Sequence, residues 1–278
     1  MRLGETALVT GCAGFIGSHL VRALVDQGCR VVGVDLATHA PCLRVLGLLD
    51  EPPERFVLWK RTVLDEANID MTLRDARPDW VFHLAGQSHI NASQTAPVRA
   101  FALNVMGTVH LLEACRHADP RPKAIVVASS NHAYGDLHAF HRTEHRPFTE
   151  DDPLAQPDMY GASKAGADLA ARAYGKSYGL PVIALRHANG YGPCDPHESH
   201  LIPAAILARS GTTPLTLRGD GSAKKDYLFV DDVVAAYLRC AELAECGAHG
   251  EAFNAGPDTP ASVVEILNAL VETGCGVT

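Results

Sequence analysis

Tyr160 and Lys164, four residues apart, have the chemistry of a proton-transfer pair. They begin a run predicted to be helical as far as Tyr178, and residues four apart lie on one face of a helix. A free tyrosine has a pKa of about 10, and a neighbouring ammonium or a positively charged nicotinamide is expected to lower it by favouring the phenolate. Such a phenolate takes the proton of an alcohol while a hydride leaves the same carbon. Because this spacing also arises by chance in many helices, its meaning depends on what surrounds it.

A serine pair and a glycine-rich turn surround the tyrosine and lysine in the predicted fold. Ser130 follows Ser129 directly after the apolar run 124–128, which predicts a strand. Ligands gather at the carboxyl ends of strands in an open parallel sheet, so Ser130 is placed to hydrogen-bond the reacting oxygen. Residues 11–17 follow another predicted strand and open a helix, and the free N–H groups at such a helix start bind a pyrophosphate. The residues assigned to this turn are Gly11, Ala13, Gly14, Phe15, Ile16 and Gly17.

Acidic residues at the ends of the next two predicted strands complete a dinucleotide site. Asp35 ends the second strand, about 20 residues after the turn, where a carboxylate accepts hydrogen bonds from ribose hydroxyls. A carboxylate followed by the neutral Leu36 repels a 2′-phosphate, which favours NAD over NADP. His39 and Arg44 lie near enough in sequence to leave NADP open. Asp65, where the third strand is expected to end, either reaches the adenine amine or caps the strand.

Alternating strand-like and helical segments predict an α/β fold, a Rossmann-type doubly wound parallel sheet with a small, incomplete C-terminal substrate lobe. The predicted strands are 7–10, 31–35, 80–84, 124–128 and 182–185, and the predicted helices are 15–27, around 98–117, and 160–178. From residue 188 onward, glycines and prolines break the alternation. The predicted NAD-binding domain covers 1–187 with a return segment at 226–255, and the substrate-binding lobe covers 188–225 and 256–278.

Composition and charge exclude several classes of protein. Apolar residues are 47% of the chain and charged residues 20%, as in folded rather than disordered proteins. A net charge of −8 without a polybasic run argues against nucleic-acid binding, and no apolar run of about 18 residues suggests a membrane span. The eight cysteines form no Cys-x-x-Cys pair and no signal peptide precedes the first strand, so we expect a cytoplasmic protein. His187, His197 and His200 lack a repeated ligand spacing, so no metal is expected.

Together these motifs resemble the extended short-chain dehydrogenase/reductases, and within them the NAD-dependent epimerase/dehydratase family that acts on nucleotide sugars. The resemblance spans residue 7 to about residue 270 and is carried by residues 10–17, 82–85, 104–108, 129–130, 160–164 and 186–193. It implies that NAD stays bound through turnover. The residues it adds to the NAD site are Leu84, Ala85, Asn104, Tyr160 and Lys164. The residues it assigns to the nucleotide-diphosphate sugar are Ser130, Asn189, Leu201 and Ile202.

Within the family, residues 129–136, 221–227 and 250–254 look most like CDP-glucose 4,6-dehydratases. Those enzymes carry, after the catalytic Ser or Thr, an Asp that protonates the departing 6-hydroxyl and then a Glu or Lys that handles the C5 proton. Here Asn131 has no acidic proton to give. His132 is either a replacement base, since histidines titrate near neutral pH, or a packed side chain. Lys225 replaces an Arg expected on the diphosphate, keeping its charge but not its two-pronged geometry. The chain ends at Thr278, earlier than such enzymes usually end, so we expect a fragment or a weakened enzyme.

The sequence favours a 4,6-dehydratase of a nucleoside-diphosphate hexose slightly over a 4-epimerase. Both reactions begin when hydride leaves sugar C4 and Tyr160 takes the C4 hydroxyl proton, and the dehydratase then loses water across C5–C6. The epimerase needs no acid beside Ser130, which makes Asn131 harmless there. A uronate decarboxylase or oxidoreductase, and a non-catalytic NAD-binding scaffold, are further alternatives. The resemblance also implies a homodimer through helices 98–117 and 164–178, although covering the sheet would explain their apolar faces equally well.

Overall fold

The computed structural model of the chain describes residues 4–37, 40–135, 146–211, 213–217, 219–257 and 259–272. Its strands, in chain order, are β1 (Thr6–Thr10), β2 (Arg30–Asp35), β3 (Phe56–Lys60), β4 (Trp80–His83), β5 (Ala124–Ala128), β6 (Val182–His187), β7 (Asn189–Tyr191), β8 (Lys224–Lys225), β9 (Tyr227–Phe229), β10 (Glu251–Ala255) and β11 (Ala261–Ser262). Its helices are α1 (Phe15–Asp26), α2 (Pro41–Val45), α3 (Glu66–Ala76), α4 (Ile90–Thr95), α5 (Pro97–Phe101), α6 (Gly107–His117), α7 (Met159–Tyr178), α8 (Leu201–Arg209), α9 (Val230–Glu245) and α10 (Val263–Glu272).

Seven of these strands form one parallel sheet in the order β10-β6-β5-β4-β1-β2-β3. The chain starts in the middle at β1 and runs outward through β2 to β3. It then returns to the other side of β1 with β4 and runs outward again to β10. The connections that leave the carboxyl ends of β1 and β4 therefore diverge, which opens a crevice at that edge of the sheet. The predicted doubly wound parallel sheet is confirmed.

Helices cover both faces of this sheet because its strands are apolar on both faces. Along β1, Ala7 and Val9 pack with α1 and α9 on one face, whereas Leu8 packs with α3 and α6 on the other. Successive side chains of a strand point to opposite faces, so a strand buried on both reads as a continuous apolar run. With both faces covered, binding is left to the residues that follow the strands at the carboxyl edge.

A buried ion pair fixes α7 against β6. The Arg186 guanidinium donates from Nε and Nη2 to the two Asp168 carboxylate oxygens, each at 2.8 Å, and both side chains are fully buried. Arg186 Nη1 also donates to the Tyr134 hydroxyl at 2.6 Å. A two-pronged charged contact of this kind sets orientation as well as distance. It therefore holds α7 in register with the turn that follows β5.

Two predicted elements differ from the structure. The single helix predicted around 98–117 is interrupted by a π-helical turn (Ala102–Met106) that separates α5 from α6. Such turns insert one extra residue into the helical register and often mark functional sites. The third strand ends at Lys60 rather than just before Asp65, which instead begins α3 as its N-cap.

After β6 the chain leaves the sheet and returns to it. β7 pairs with β9 in parallel, and β8 pairs with β11 antiparallel. α9, which follows β9, packs Val233 and Tyr237 onto the sheet, so the chain has returned to the seven-stranded sheet at this helix.

α8 and α10 lie together, and Arg209 of α8 donates to the Leu270 carbonyl of α10 at 2.6 Å. In the described ranges no helix is both long and apolar enough to cross a bilayer.

Candidate active site

Steric contacts require the glycines of the turn between β1 and α1. Gly11 has a φ of +73°, and a Cβ there would lie 2.6 Å from the backbone nitrogen of Ala85. A Cβ on Gly17 would lie 2.1 Å from the Gly11 carbonyl oxygen. The turn therefore packs directly against the loop after β4, and no side chain in the described residues caps α1. The N–H groups of the first turn of α1, at Phe15 and Ile16 in the cavity wall, are available to an anion.

A cavity of about 1230 Å³ follows the carboxyl edge of the sheet and contains most of the predicted site. The predicted catalytic residues in its wall are Ser130, Asn131, His132, Tyr160 and Lys164. The predicted NAD residues there also include Gly11, Gly14, Phe15, Ile16, Gly17, Asp35, Leu36, Leu84 and Ala85. The predicted substrate residues there are Asn189, Leu201, Ile202 and Lys225, besides Ser130.

Asp35 is fixed at the end of β2 by backbone donors. Its Oδ2 accepts the N–H of Ala13 at 3.0 Å, and its Oδ1 accepts the N–H of Ala37 at 2.9 Å. Ala13, a predicted NAD residue that lies outside the cavity wall, thus holds this carboxylate in place. A fixed carboxylate repels a 2′-phosphate, which agrees with NAD as the cofactor. Of the two residues that left NADP open, His39 lies outside the described residues, and Arg44 is an exposed residue of α2 outside the cavity wall.

Two other predicted NAD residues lie outside the cavity wall. Asn104, in the π-helical turn and 2% exposed, accepts the Gln87 N–H at 2.7 Å and donates to the Ser163 hydroxyl at 2.8 Å. Asn104 therefore links the loop after β4 to α7 through hydrogen bonds. Asp65 accepts N–H groups of its own helix, and residues 61–63 line the wall in its place. Direct contacts of Asn104 and Asp65 with NAD stay predictions.

Ser130, Tyr160 and Lys164 converge at the carboxyl end of β5. Tyr160 and Lys164 lie one turn apart at the start of α7. Ser130 lies near enough to the Tyr160 hydroxyl to lower the pKa of the phenol, and Lys164 Nζ donates to the Ala128 carbonyl at 2.8 Å. The Ser130 hydroxyl also accepts the His132 N–H at 3.1 Å, which orients it. The arrangement can hold an alcohol oxygen between a phenol and a serine hydroxyl.

Burial dominates the acidity of this group. It raises the pKa of Tyr160, with a smaller opposing effect from Ser130 and a further rise from the Asp158 charge. Burial also lowers the pKa of Lys164 to about 8. The predicted lowering of the Tyr160 pKa is therefore wrong for the chain by itself, because burial raises this pKa and the opposing contribution comes from Ser130. A bound nicotinamide is the remaining positive charge that would favour the phenolate.

His132 lies beside Tyr160, with their ring centres 5.6 Å apart. It belongs to a short 3₁₀ turn (Asn131–Tyr134) that begins at Ser130. Its Nε2 lies 2.7 Å from Oδ2 of Asp158, the residue that caps α7. Asp158 was not among the predicted site residues. The signal for it was an aspartate two residues before Tyr160, at the expected start of that helix.

The predicted substrate residues come from three separate segments. Asn189 begins β7 and donates from Nδ2 to the Asp226 carbonyl at 3.0 Å. Leu201 and Ile202 form the first turn of α8, and Lys225 is an exposed residue of β8. All line the same cavity as the glycine turn, and its volume of about 1230 Å³ leaves room for a dinucleotide and a second ligand.

Three imidazoles in the cavity wall were not predicted as a group. His89, after β4, has its Nε2 2.7 Å from Nδ1 of His197, and His200 Nδ1 lies 2.8 Å from Oδ2 of Asp195. Burial, followed by repulsion among the imidazoles, lowers the pKa of both His89 and His197. In the part of the chain that the structure describes, no three His, Cys, Asp or Glu side chains are arranged to hold a metal ion. The sequence pointed to His197 and His200 together with His187, and His89, which follows β4, was the member missed.

Comparison with known proteins agrees with this geometry. A model of the NAD-dependent epimerase/dehydratase family matches residues 7–256. The chain is 36% identical to dTDP-glucose 4,6-dehydratase of Xanthomonas campestris pv. campestris, over 95% of the chain and 75% of that relative. It is similar to the crystal structure of dTDP-glucose 4,6-dehydratase from Bacillus anthracis in complex with NAD (30% identity, TM-score 0.83, 97% and 81% of the two chains). It is also similar to UDP-glucose 4-epimerase from Thermotoga maritima with UDP-glucose (28% identity, TM-score 0.83, 99% and 84%).

These relatives confirm the predicted family and refine one detail. Likeness to a CDP-glucose 4,6-dehydratase was expected, whereas the dehydratases found here are named for dTDP-glucose. The three stretches on which that expectation depended are short, and they include residue 136, which lies outside the described ranges.

Proposed function

Since the chain belongs to the NAD-dependent epimerase/dehydratase family, we propose that it is an NAD-dependent 4,6-dehydratase of a nucleoside-diphosphate hexose. The observation that carries this proposal is the position of Ser130, Tyr160 and Lys164 in the same cavity as the glycine turn. Redox chemistry on an alcohol needs a proton acceptor and a dinucleotide at one carbon. The chain places a proton acceptor and a candidate dinucleotide site in the wall of one cavity.

Oxidation at sugar C4 is the proposed first step. When bound, NAD supplies the hydride acceptor for C4 and, once reduced, the hydride donor for C6. Tyr160 takes the proton of the C4 hydroxyl, and Ser130 donates a hydrogen bond to the same oxygen. Lys164, buried and anchored to the carbonyl of Ala128, places a positive charge near the phenol. Residues 11–17 hold the pyrophosphate and Asp35 the adenosine ribose.

Loss of water across C5–C6 is the proposed second step. A 4-keto group makes the C5 hydrogen acidic, and His132, beside Tyr160, is the base proposed to remove it. Asn131 occupies the position of the acid that family dehydratases use for the departing 6-hydroxyl. Its amide can hydrogen-bond that oxygen but has no acidic proton to give.

The substrate is proposed to lie between the nicotinamide end and the segments after β6. Asn189 and Lys225 are assigned to the diphosphate, and Leu201 and Ile202 to the nucleotide. Residues 188–225 and 256–278 would then form the substrate lobe. Because similar proteins are named for dTDP-glucose and for UDP-glucose, the first assay compares dTDP-, UDP- and CDP-glucose with NAD, followed by product mass. Loss of one water from any of them supports the proposal, and unchanged mass with all three contradicts it.

A 4-epimerase is the second candidate, and Asn131 is the observation that favours it. Epimerisation returns hydride to the other face of C4 and needs no acid for a leaving group. Turnover in deuterated water separates the two reactions, because elimination places deuterium at C5 and epimerisation does not.

A homodimer in the cytoplasm is proposed for the assembled enzyme. The segment from α5 to α7 covers the sheet with one face, yet it leaves Val98, Phe101, Met106 and Leu169 at least 39% exposed. An apolar surface of this kind suits a second copy of the chain. Sedimentation of the wild type and of Leu169→Glu tests it, since a dimer through this face should become monomeric in the variant. The seven cysteines in the described ranges are free, as expected in a reducing compartment.

A further inference from the structure

A carboxylate behind His132 fixes the state of its imidazole. Asp158 Oδ2 lies 2.7 Å from His132 Nε2, and Asp158 Oδ1 accepts the Gly161 N–H at 2.9 Å. The second contact is the N-cap of α7, so the carboxylate is held by the helix that carries Tyr160. Whereas His132 lines the cavity, Asp158 lies behind it. Asp158 can therefore influence the C5 proton only through His132, although its charge also acts on Tyr160.

The hydrogen bond to Asp158 determines which nitrogen of His132 is a base. An ionised carboxylate can only accept, so the hydrogen of the neutral imidazole must be on Nε2 and the lone pair on Nδ1. Gln156 Nε2, a donor, lies 2.8 Å from the same His132 Nε2, so this state requires a half-turn of the Gln156 amide that brings its oxygen to the ring as a second acceptor of the Nε2 hydrogen. Within the described residues no hydrogen bond engages Nδ1 of His132.

We propose that Asp158 is a positioning residue that holds His132 with its hydrogen on Nε2, so that Nδ1 takes the C5 proton of the 4-keto sugar. This inference rests on the proposed dehydratase function. In the step, the C5–H bond breaks, its electron pair moves into the C4 carbonyl to give an enolate, and the proton goes to Nδ1. The resulting imidazolium is stabilised by the Asp158 carboxylate. It then holds the proton that the 6-hydroxyl needs in order to depart as water, which Asn131 cannot provide.

Orienting both bases from the start of one helix matches the substrate. Tyr160 acts on the oxygen of C4 and His132 on the hydrogen of C5, and these are neighbouring carbons. The two rings are correspondingly close, with centres 5.6 Å apart and planes inclined by 33°. Asp158 lies two residues before Tyr160, so the same helical turn orients both groups.

The substitution Asp158→Asn tests this proposal because asparagine caps helices about as well as aspartate. Its amide can donate to Nε2, which moves the imidazole hydrogen to Nδ1 and removes the base. We expect deuterium exchange at C5 to fall about 100-fold, within the range of a lost general base. Oxidation at C4, followed by the absorbance of reduced nicotinamide in a single turnover, should be as fast as in the wild type or faster, because the Asp158 charge disfavours the phenolate. Asp26→Asn, which removes an exposed carboxylate paired with Arg22 at the carboxyl end of α1 and outside the cavity wall, is the matched control and should change neither rate.

A double variant shows whether Asp158 acts through the imidazole. In a His132→Gln background, Asp158→Asn should change C5 exchange by less than about threefold, because the group it orients is already gone. The proposal is overturned if Asp158→Asn alone leaves C5 exchange unchanged, slows C4 oxidation equally, or adds its full loss in the double variant. A wild-type protein that inverts C4 without deuterium at C5 would instead refute the dehydratase function itself.

Discussion

Replacing Lys164 with methionine is expected to stabilise the fold while abolishing turnover. The lysine is 8% exposed, and burial lowers its pKa from 10.5 to about 8. A tenfold change in acidity corresponds to about 1.4 kcal/mol, so holding the charge there at neutral pH costs about 3 kcal/mol of folding free energy. Methionine fills a similar volume without charge, but it removes the donor 2.8 Å from the Ala128 carbonyl, which costs about 1 kcal/mol. The net gain is about 2 kcal/mol.

The pH dependence of the Lys164→Met stability difference gives a second test. Because this pKa is lower in the folded than in the unfolded state, the unfolded chain holds more protons between pH 10.5 and about 8, and wild-type stability rises across that window. The advantage of methionine is therefore full below about pH 8 and shrinks above it. Urea unfolding without NAD at about pH 7 and about pH 9.5 measures both values, with the exposed Lys60→Met as control. A variant less stable than the wild type at neutral pH, or one that still turns over sugar nucleotide at more than about 1% of the wild-type rate, would refute this reasoning.

Two further substitutions test the cofactor turn and the buried ion pair. A Cβ at Gly17 would lie 2.1 Å from the Gly11 carbonyl oxygen, so Gly17→Ala should separate the turn from α1 and weaken NAD binding at least about tenfold by calorimetric titration; unchanged affinity contradicts this. Asp168→Asn leaves the fully buried Arg186 without its countercharge and should lower the free energy of unfolding by about 3–5 kcal/mol in urea. Glu242→Gln, whose arginine contact has the same 2.8 Å length at an exposed position, should change it by less than about 1 kcal/mol, and equal effects would show that burial is not the cause.

The parts of the fold that depend on local pattern could be predicted from the sequence. The strands at 124–128 and 31–35 are buried on both faces, so their composition alone identified them. The glycine turn and the pair Tyr160 and Lys164 are likewise short-range patterns with fixed spacing. Packing then brings these patterns into one cavity, because ligands bind where the order of strands in a parallel sheet changes direction, here between β1 and β4.

Features that depend on long-range packing could not be predicted in this way. The hydrogen bond of His132 to Asp158 joins residues 26 positions apart, and the contact of His89 with His197 joins residues 108 apart. Hydrophobic periodicity does not reveal a single inserted residue, so the π-helical turn at Ala102–Met106 was read as ordinary helix. The spacing of Tyr160 and Lys164 indicated a lowered tyrosine pKa, but the extent of burial that reverses the shift is set by tertiary structure.

The fate of the hydrogen on sugar C4 tests most directly whether this chain oxidises C4 and reduces C6 in one turnover. A nucleoside-diphosphate glucose labelled with deuterium at C4 would be incubated with the protein and NAD, and the product examined by mass and NMR spectroscopy. The account predicts a product that has lost one water and carries the deuterium at C6, and no such product from Tyr160→Phe. Deuterium that remains at C4, with or without inversion and without loss of water, would contradict it.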